Sequence, residues 1–411
     1  SGSYYVAGYY DDNHDLLDSD GDGKGRSSAF YGQRLRLNAV FQVAEGLKLV
    51  TRADIMERVW GGSRVHSTAG GRDPYSPGYT GGGNLDIDEE RNISWERAYA
   101  QFAVPTGQLF VGYQQCLTWG TVFQDAASSA PRIKYVGIFG SWIVVALTEK
   151  GVEGDIGTAT TDSDYDKYAL ALIYKWQGGQ VGLLNFYLPA RHVENADVWN
   201  NYLSPYFKAT FGPLYLEGEA SLWYGEADYD NPATEDVDRE GWSFYLYGKY
   251  NLGPAYVGAQ FAYVEGDDPS TTDDDEGGYP LNEDWDPCLI LWNDNLHKWM
   301  GNLGATTTAG TSDSMTNAFL YQIFAGFSPM EKLTLHASVT YAVADEKPEG
   351  YDDDEYGTEF DITATYKIYD NLSYMVGFGY LVTGDYFKGR ESDNNKIDDD
   401  YLVMNKLTLR F

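Results

Sequence analysis

Connections of two very different lengths take strict turns along this chain, and that alternation constrains the fold more than any other feature. One set is very short and built from turn residues: Glu45-Gly46, Pro105-Thr106-Gly107, Gly140-Ser141, Gly178-Gly179, Gly212-Pro213, Gly253-Pro254, Pro329-Met330-Glu331-Lys332 and Asp370-Asn371. The other set is long, acidic and glycine-rich: residues 11–28, 61–92, 117–131, 151–164, 190–200, 226–239, 266–313, 345–356 and 385–399. Between them apolar residues recur at every second position. Leu372, Tyr374, Val376, Phe378, Tyr380 and Val382 share one face against Ser373, Met375, Gly377 and Gly379, and residues 360–368 and 333–341 repeat the pattern. Period two over nine or more residues is a strand signal. An antiparallel meander tolerates short turns at both ends, so a bias to one end needs an outside cause.

A membrane supplies that cause. The chain has no run of 18 apolar residues, hence no transmembrane helix, but barrel strands alternate and escape hydropathy windows. Eight short and nine long connections join 18 strands, an even number that puts both termini on the short-turn side. The expected fold is all-β: one transmembrane antiparallel up-and-down barrel over 1–411, with short periplasmic turns and long acidic external loops. A barrel grows in circumference, so 411 residues need not divide into domains. The 35 Tyr and 46 Gly suit strands and turns. No basic-plus-apolar segment opens the chain and SYYVAGYYDD reads as an immediate strand, as in a mature, processed chain. The net charge of −33 makes nucleic acid a poor partner and favours divalent cations.

The last residues are YLVMNKLTLRF. Phe411, Leu409, Leu407 and Val403 face one way; Arg410, Thr408 and Lys406 face the other. A terminal Phe after alternating apolar residues resembles the C-terminal insertion signal of Gram-negative outer-membrane proteins, and the whole chain resembles an outer-membrane porin. GYQQCLTWGTVFQD, where a strand breaks into a Trp-Gly-rich loop, is similar in position to the porin loop that folds inward, making 117–131 the expected constriction loop. The resemblance implies a passive channel for small hydrophilic solutes, an outer-membrane lipid and lipopolysaccharide setting, a homotrimer, and no required cofactor.

In a pore the chemistry lies on lumen-facing positions. Placing the apolar parity against lipid leaves Arg34, Arg36, Arg52, Arg58 and Arg97 inside on three consecutive strands, extended by Lys134. Glu217, Glu219, Glu359 and Asp361 face in elsewhere, and Asp125 sits in the expected constriction loop. A basic wall opposite acidic groups would set a transverse field; otherwise these charges line the wall and pair with one another. A row of lumen aromatics, Trp223, Tyr245 and Tyr247, would instead favour a specific channel for an oligosaccharide or acidic polymer.

Asp18, Asp20 and Asp22 with Gly23 reproduce the front half of a calcium loop, without the closing Glu or flanking helices. They either bind calcium, the one cofactor in view, as on a calcium-binding surface or adhesion barrel, or are solvated. Cys116 and Cys288 could bridge in an oxidising compartment, tying the longest loop over the mouth, or remain separate thiols. CLILWNDNLHKWMGNLG has the only helix-like spacing and is expected to cap the mouth or reach a neighbour. His14, His66, His192, His297 and His336 lack paired metal spacing, and no G-x-S-x-G occurs, so no enzyme is expected.

Overall fold

The computed structural model describes residues 1–18, 27–61, 93–126, 128–153, 164–189, 196–231, 234–271, 274–275, 277–278, 284–304, 314–390, 393 and 395–411. Eighteen antiparallel staves form one closed sheet. They are β1 (Gly2–Asp11), β2 (Ser28–Ala44), β3 (Leu47–Val59), β4 (Ile93–Val104), β5 (Gly107–Gln115), β6 (Ser129–Phe139), β7 (Trp142–Val152), β8 (Tyr165–Trp176), β9 (Gly179–Pro189), β10 (Ala196–Phe211), β11 (Leu214–Tyr229), β12 (Val237–Leu252), β13 (Ala255–Val264), β15 (Ala318–Met330), β16 (Leu333–Ala344), β17 (Glu355–Tyr369), β18 (Leu372–Thr383) and β19 (Asp400–Arg410). β14 (Asp274–Asp275) is not a stave; it adds a two-residue parallel pairing to β12.

Each stave pairs with its neighbour in sequence, and β1 closes the ring by pairing with β2 on one side and β19 on the other. The termini lock there: Gly2 and Phe411 exchange both backbone hydrogen bonds, at 2.6 and 3.0 Å. A Cβ on Gly2 would lie 2.7 Å from the Phe411 ring, so the closing position needs glycine. The short turns are tight because Gly46, Gly140, Gly178, Gly212 and Gly253 adopt positive φ at no steric cost.

Period two sorts the side chains as lipid requires. The outer surface carries exposed Leu170, Trp242, Phe244, Ile323, Phe360 and Phe378 among many others. Staves run from nine residues in β5 to 17 in β2, at or above the roughly 9–11 tilted residues that cross the apolar layer. β10, β11 and β12 reach 16 residues each and extend into segments expected to be loop.

The barrel is not empty. Its main apolar cluster lies inside, where Ala7, Tyr9, Ala262, Leu320, Ala342 and Leu402 of the inner wall bury against Trp285, Ile290, Leu291, Trp292, Leu296 and Leu303. This is the segment expected at the mouth. Residues 284–304 instead fold inward, with the short helix α1 (Asp294–Met300) among them. A row of apolar side chains cannot stay in water when an apolar inner wall is in reach.

Candidate functional site: the lumen wall and its two inward loops

Two segments fill part of the lumen, and their attachments define what space remains. The first follows β5. Trp119 donates from Nε1 to the Ser204 carbonyl at 3.1 Å. Thr121 donates from its backbone N and its Oγ1 to Glu219, at 2.6 and 2.8 Å, and Ser204 Oγ donates to the other Glu219 oxygen at 2.9 Å. Gly120 has φ +58°, and a Cβ there would lie 2.5 Å from the Glu219 carboxylate, so the Trp-Gly step permits this close approach. Phe123 stacks on Tyr245 with centroids 5.0 Å apart and meets Trp285 edge-on. Gln124 bonds Ser243 and Tyr202. The loop is thereby fixed to the inner face of β10, β11 and β12.

The second segment runs from Asp284 to Gly304. Asp284 N donates to the Asp125 carbonyl at 2.8 Å, joining the two loops. Glu359 on β17 accepts three successive backbone N–H groups, from Leu289, Ile290 and Leu291, at 2.7 to 2.9 Å. Trp299 packs over Gly32 of β2. His14 contacts the Gly301 carbonyl at 3.0 Å, and Gly304 N donates to the His14 carbonyl at 3.0 Å. The segment thus spans from the β15–β17 wall to the β1–β2 wall.

Among the described residues, the wall that these two segments leave uncovered is that of β2 to β6. Arg34 and Arg36 each keep a quarter of their side-chain surface exposed. Arg36 makes a two-pronged pair with Asp54, at 2.7 and 2.6 Å, and Arg34 lies 3.4 Å from Glu57. Arg52 and Arg97 are direct cross-strand partners. Arg52 donates to Asn38 at 2.8 Å, while Nε and Nη2 of Arg97 have no hydrogen-bond partner. Like charges placed opposite one another destabilise a sheet, so this pair is not explained by stability. Lys134 continues the wall, its ammonium 5.0 Å over the Phe110 ring. On the β1 side, Arg34 and Lys406 flank the Tyr5 ring at 5.2 and 5.0 Å.

The loops bring carboxyl groups toward this wall. Burial raises Asp125 to about 6, against a hydrogen bond from the Trp119 N–H and with help from Asp284. Asp286 is likewise raised to about 6 by burial although Asp294 N and Asn295 bond it and Lys406 attracts it. Asp284 is raised by burial and pulled back by Arg36 and Arg34, which places it within their field.

Several expectations change. Arg58 is not on the basic wall. Met56 takes φ +53° and the β2–β3 register shifts between Gln33 and Leu35, so Arg58 falls opposite Gln33 and on the face of exposed Trp60, while Glu57 takes the inward place. The cysteines do not bridge: both are free and buried, Cys288 donating to Thr340 on β16 and Cys116, just after β5, donating from its backbone N to the Ser128 carbonyl. The inward fold of the long segment buries Cys288 against the far wall, so the bridge has no partner. Glu217, Glu219, Glu359 and Asp361 lie on the inner face, but Glu219 and Glu359 are spent on loop backbone. Glu217 takes a bond from Tyr215 at 2.6 Å with Lys208 at 3.9 Å. Tyr245 is buried under Phe123, not a sliding surface for solutes. Asp18 is bonded through its N to the Lys396 carbonyl; Asp20 and Asp22 lie outside the described residues. Missed altogether were Arg132, which pairs with buried Glu149 beside Lys167, and Asp284 and Asp286. The charge of Arg132 was visible in the sequence next to Lys134; the inward position of the two aspartates was not.

The fold and its charged lumen define the class: a porin-type transmembrane β-barrel. No family model and no curated protein matches the chain. Solved structures do match over its whole length. Acinetobacter baumannii OccAB3 aligns at 12% identity and TM-score 0.56, covering 100% of this chain and 98% of that one. A BenF-like porin from Pseudomonas fluorescens Pf-5 aligns at 11% and 0.51, covering 100% and 98%. Pseudomonas aeruginosa OccK2 (OpdF), in complex with glucuronate, aligns at 12% and 0.51, covering 99% and 97%. The fold is that of Gram-negative outer-membrane porins.

Proposed function

We propose that the chain is an outer-membrane diffusion channel for small hydrophilic solutes, with its water path along the β2–β6 wall and a preference for anions. One observation carries the reading: Arg52 and Arg97 face each other across strands on this wall, a like-charge pair with, among the described residues, no carboxylate of its own between them. The inner carboxylates Glu219 and Glu359 are occupied in holding loops and contribute little to the path. Asp284, Asp286 and the neighbouring Asp125 supply the opposing charge. Charges of opposite sign across a narrow, low-dielectric passage orient polar solutes and filter ions. No cofactor is required. Conductance in planar bilayers under a salt gradient tests this. Steady channels with an anion-selective reversal potential are expected; a bilayer that stays at baseline, or a cation-selective potential, overturns it.

A second reading narrows the solute to small carboxylates. It is favoured by the two loops that narrow the lumen and by the row of guanidinium groups on the β2–β4 wall, which suit a carboxylate; OccK2 was solved with glucuronate. Saturation of chloride current by glucuronate would support it. Assembly as a homotrimer and calcium at Asp18–Asp22 belong to the same proposal, with sizing in detergent and calcium calorimetry as their measurements.

A further inference from the structure

The wall where the long inward segment attaches holds a cluster that the channel does not use. Cys288 Sγ and one oxygen each of Glu359 and Asp361 lie within 4.8 Å of one another, all three residues buried. We propose that these three residues bind a borderline-soft divalent cation of the zinc class, clamping the inward segment to β17.

The donor set selects that class. Calcium and magnesium take six or more oxygen ligands. A sulfur with two carboxylate oxygens suits zinc or cadmium, with water completing a tetrahedron. The outer partners are already in place. Glu359 is held by three backbone N–H groups, Asp361 Oδ2 accepts from Ser338 at 3.3 Å, and Cys288 Sγ lies 3.2 Å from Thr340 Oγ1. Such second contacts orient metal ligands.

An independent observation points to a missing partner. Asp361 is 7% exposed, yet its Oδ1 finds no donor of its own and has the Glu359 carboxyl beside it. A buried carboxylate oxygen without a partner is costly. Gly379 keeps the space beside it clear: a Cβ there would lie 2.9 Å from that oxygen. Among the described residues no lysine or arginine pairs with either carboxylate. A dication offsets two neighbouring carboxylates, and the thiol proton leaves to solvent as the metal–sulfur bond forms.

The test uses the full chain, folded in detergent and stripped with chelator, titrated with zinc by calorimetry and with cadmium by ultraviolet absorbance. Saturable zinc heat and a sulfur-to-cadmium charge-transfer band are expected. The band should vanish in Cys288→Ser and persist in Cys116→Ser, and zinc affinity should fall at least about tenfold in Asp361→Asn. Wild-type protein with neither heat nor band overturns the proposal and leaves a shared proton between the carboxyls. A band lost in Cys116→Ser overturns it too. If Cys288→Ser does not fold, Cys116→Ser decides alone, since Cys288 is then the only thiol.

Discussion

Replacing Arg52 and Arg97 with alanine should remove most of the anion preference. The two residues are cross-strand partners on this wall; the upper limit takes a solute in contact with both, about 5 Å from each charge. At that distance and the dielectric of water, each unit charge contributes about 0.8 kcal/mol. Screening at 0.1 M salt, with a Debye length of about 10 Å, leaves about 1 kcal/mol for the pair. An anion loses that stabilisation in the double variant and a cation loses an equal repulsion. The two effects add to about 2 kcal/mol, an upper limit of about 30-fold in the permeability ratio at 1.4 kcal/mol per tenfold. Because the pair acts over only part of the path, a drop of about three- to tenfold is expected, and a smaller one at 1 M salt. The assay is the reversal potential across a tenfold potassium chloride gradient. Arg58→Ala is the control, since Arg58 shares its face with Gln33 and Trp60. Equal reversal potentials in the double variant and wild type would refute the wall as the filter. A shift in Arg58→Ala as large as in the double variant would refute the assigned faces.

Acidification should act on the opposite side of the passage. Asp125 and Asp286 titrate near 6, raised mainly by burial; they are ionised at pH 7.5 and mostly neutral at pH 5. Lowering pH therefore removes negative charge and increases anion preference, and Asp125→Asn with Asp286→Asn should flatten that step in reversal potential. Glu219→Ala strips two bonds from the first loop and leaves Ser204 of β10 without its acceptor; at roughly 1–3 kcal/mol per unsatisfied buried group, the loop should detach, seen as higher and noisier single-channel current. Glu359→Ala should release Leu289–Leu291 in the same way and, because the second segment fills more of the lumen, give the larger conductance increase. Burial pushes both thiols up, so thiol reagent should label no cysteine in the folded chain and two after denaturation, with no gel shift on reduction.

The staves were legible because lipid imposes a rule on every residue that crosses it. Leu372 to Val382 must alternate wherever the strand sits in the barrel, and turn glycines such as Gly212 and Gly253 mark where it stops. Arg34, Arg36, Arg52, Arg97 and Lys134 followed from the same parity. Arg58 did not, because one positive-φ residue at Met56 inverts the parity after it and no local signal accompanies it. The inward path of 284–304 was hidden for a different reason. Its apolar side chains are satisfied by an inner wall contributed by β1, β13 and β15 to β19, and such pairings leave no periodicity. The one clue was CLILWNDNLHKWM itself, too apolar for a solvated loop, and its destination could not be read from it.

The two sides of the lumen are linked by how their charges are used. On the β10–β18 side, carboxylates Glu219 and Glu359 bind loop N–H groups, and aromatic or apolar neighbours such as Tyr245 and Leu320 are covered. A carboxylate that accepts three donors holds its partners in place. On the β2–β6 side, the inward carboxylates Asp54 and Glu57 are paired with Arg36 and Arg34, and a guanidinium can donate but not accept. Such a wall offers loop N–H groups few free carboxylates, so among the described residues the inward loops are anchored elsewhere and touch this side only where Trp299 packs over Gly32. The sign of the wall charge thus sets both where the loops dock and where the solute path runs. The argument is tested by Arg97→Glu. A carboxylate there offers the wall a charged acceptor for loop N–H groups, and the expected result is a smaller conductance with cation preference. A conductance that rises, with anion preference intact, would break the link between wall charge and loop placement.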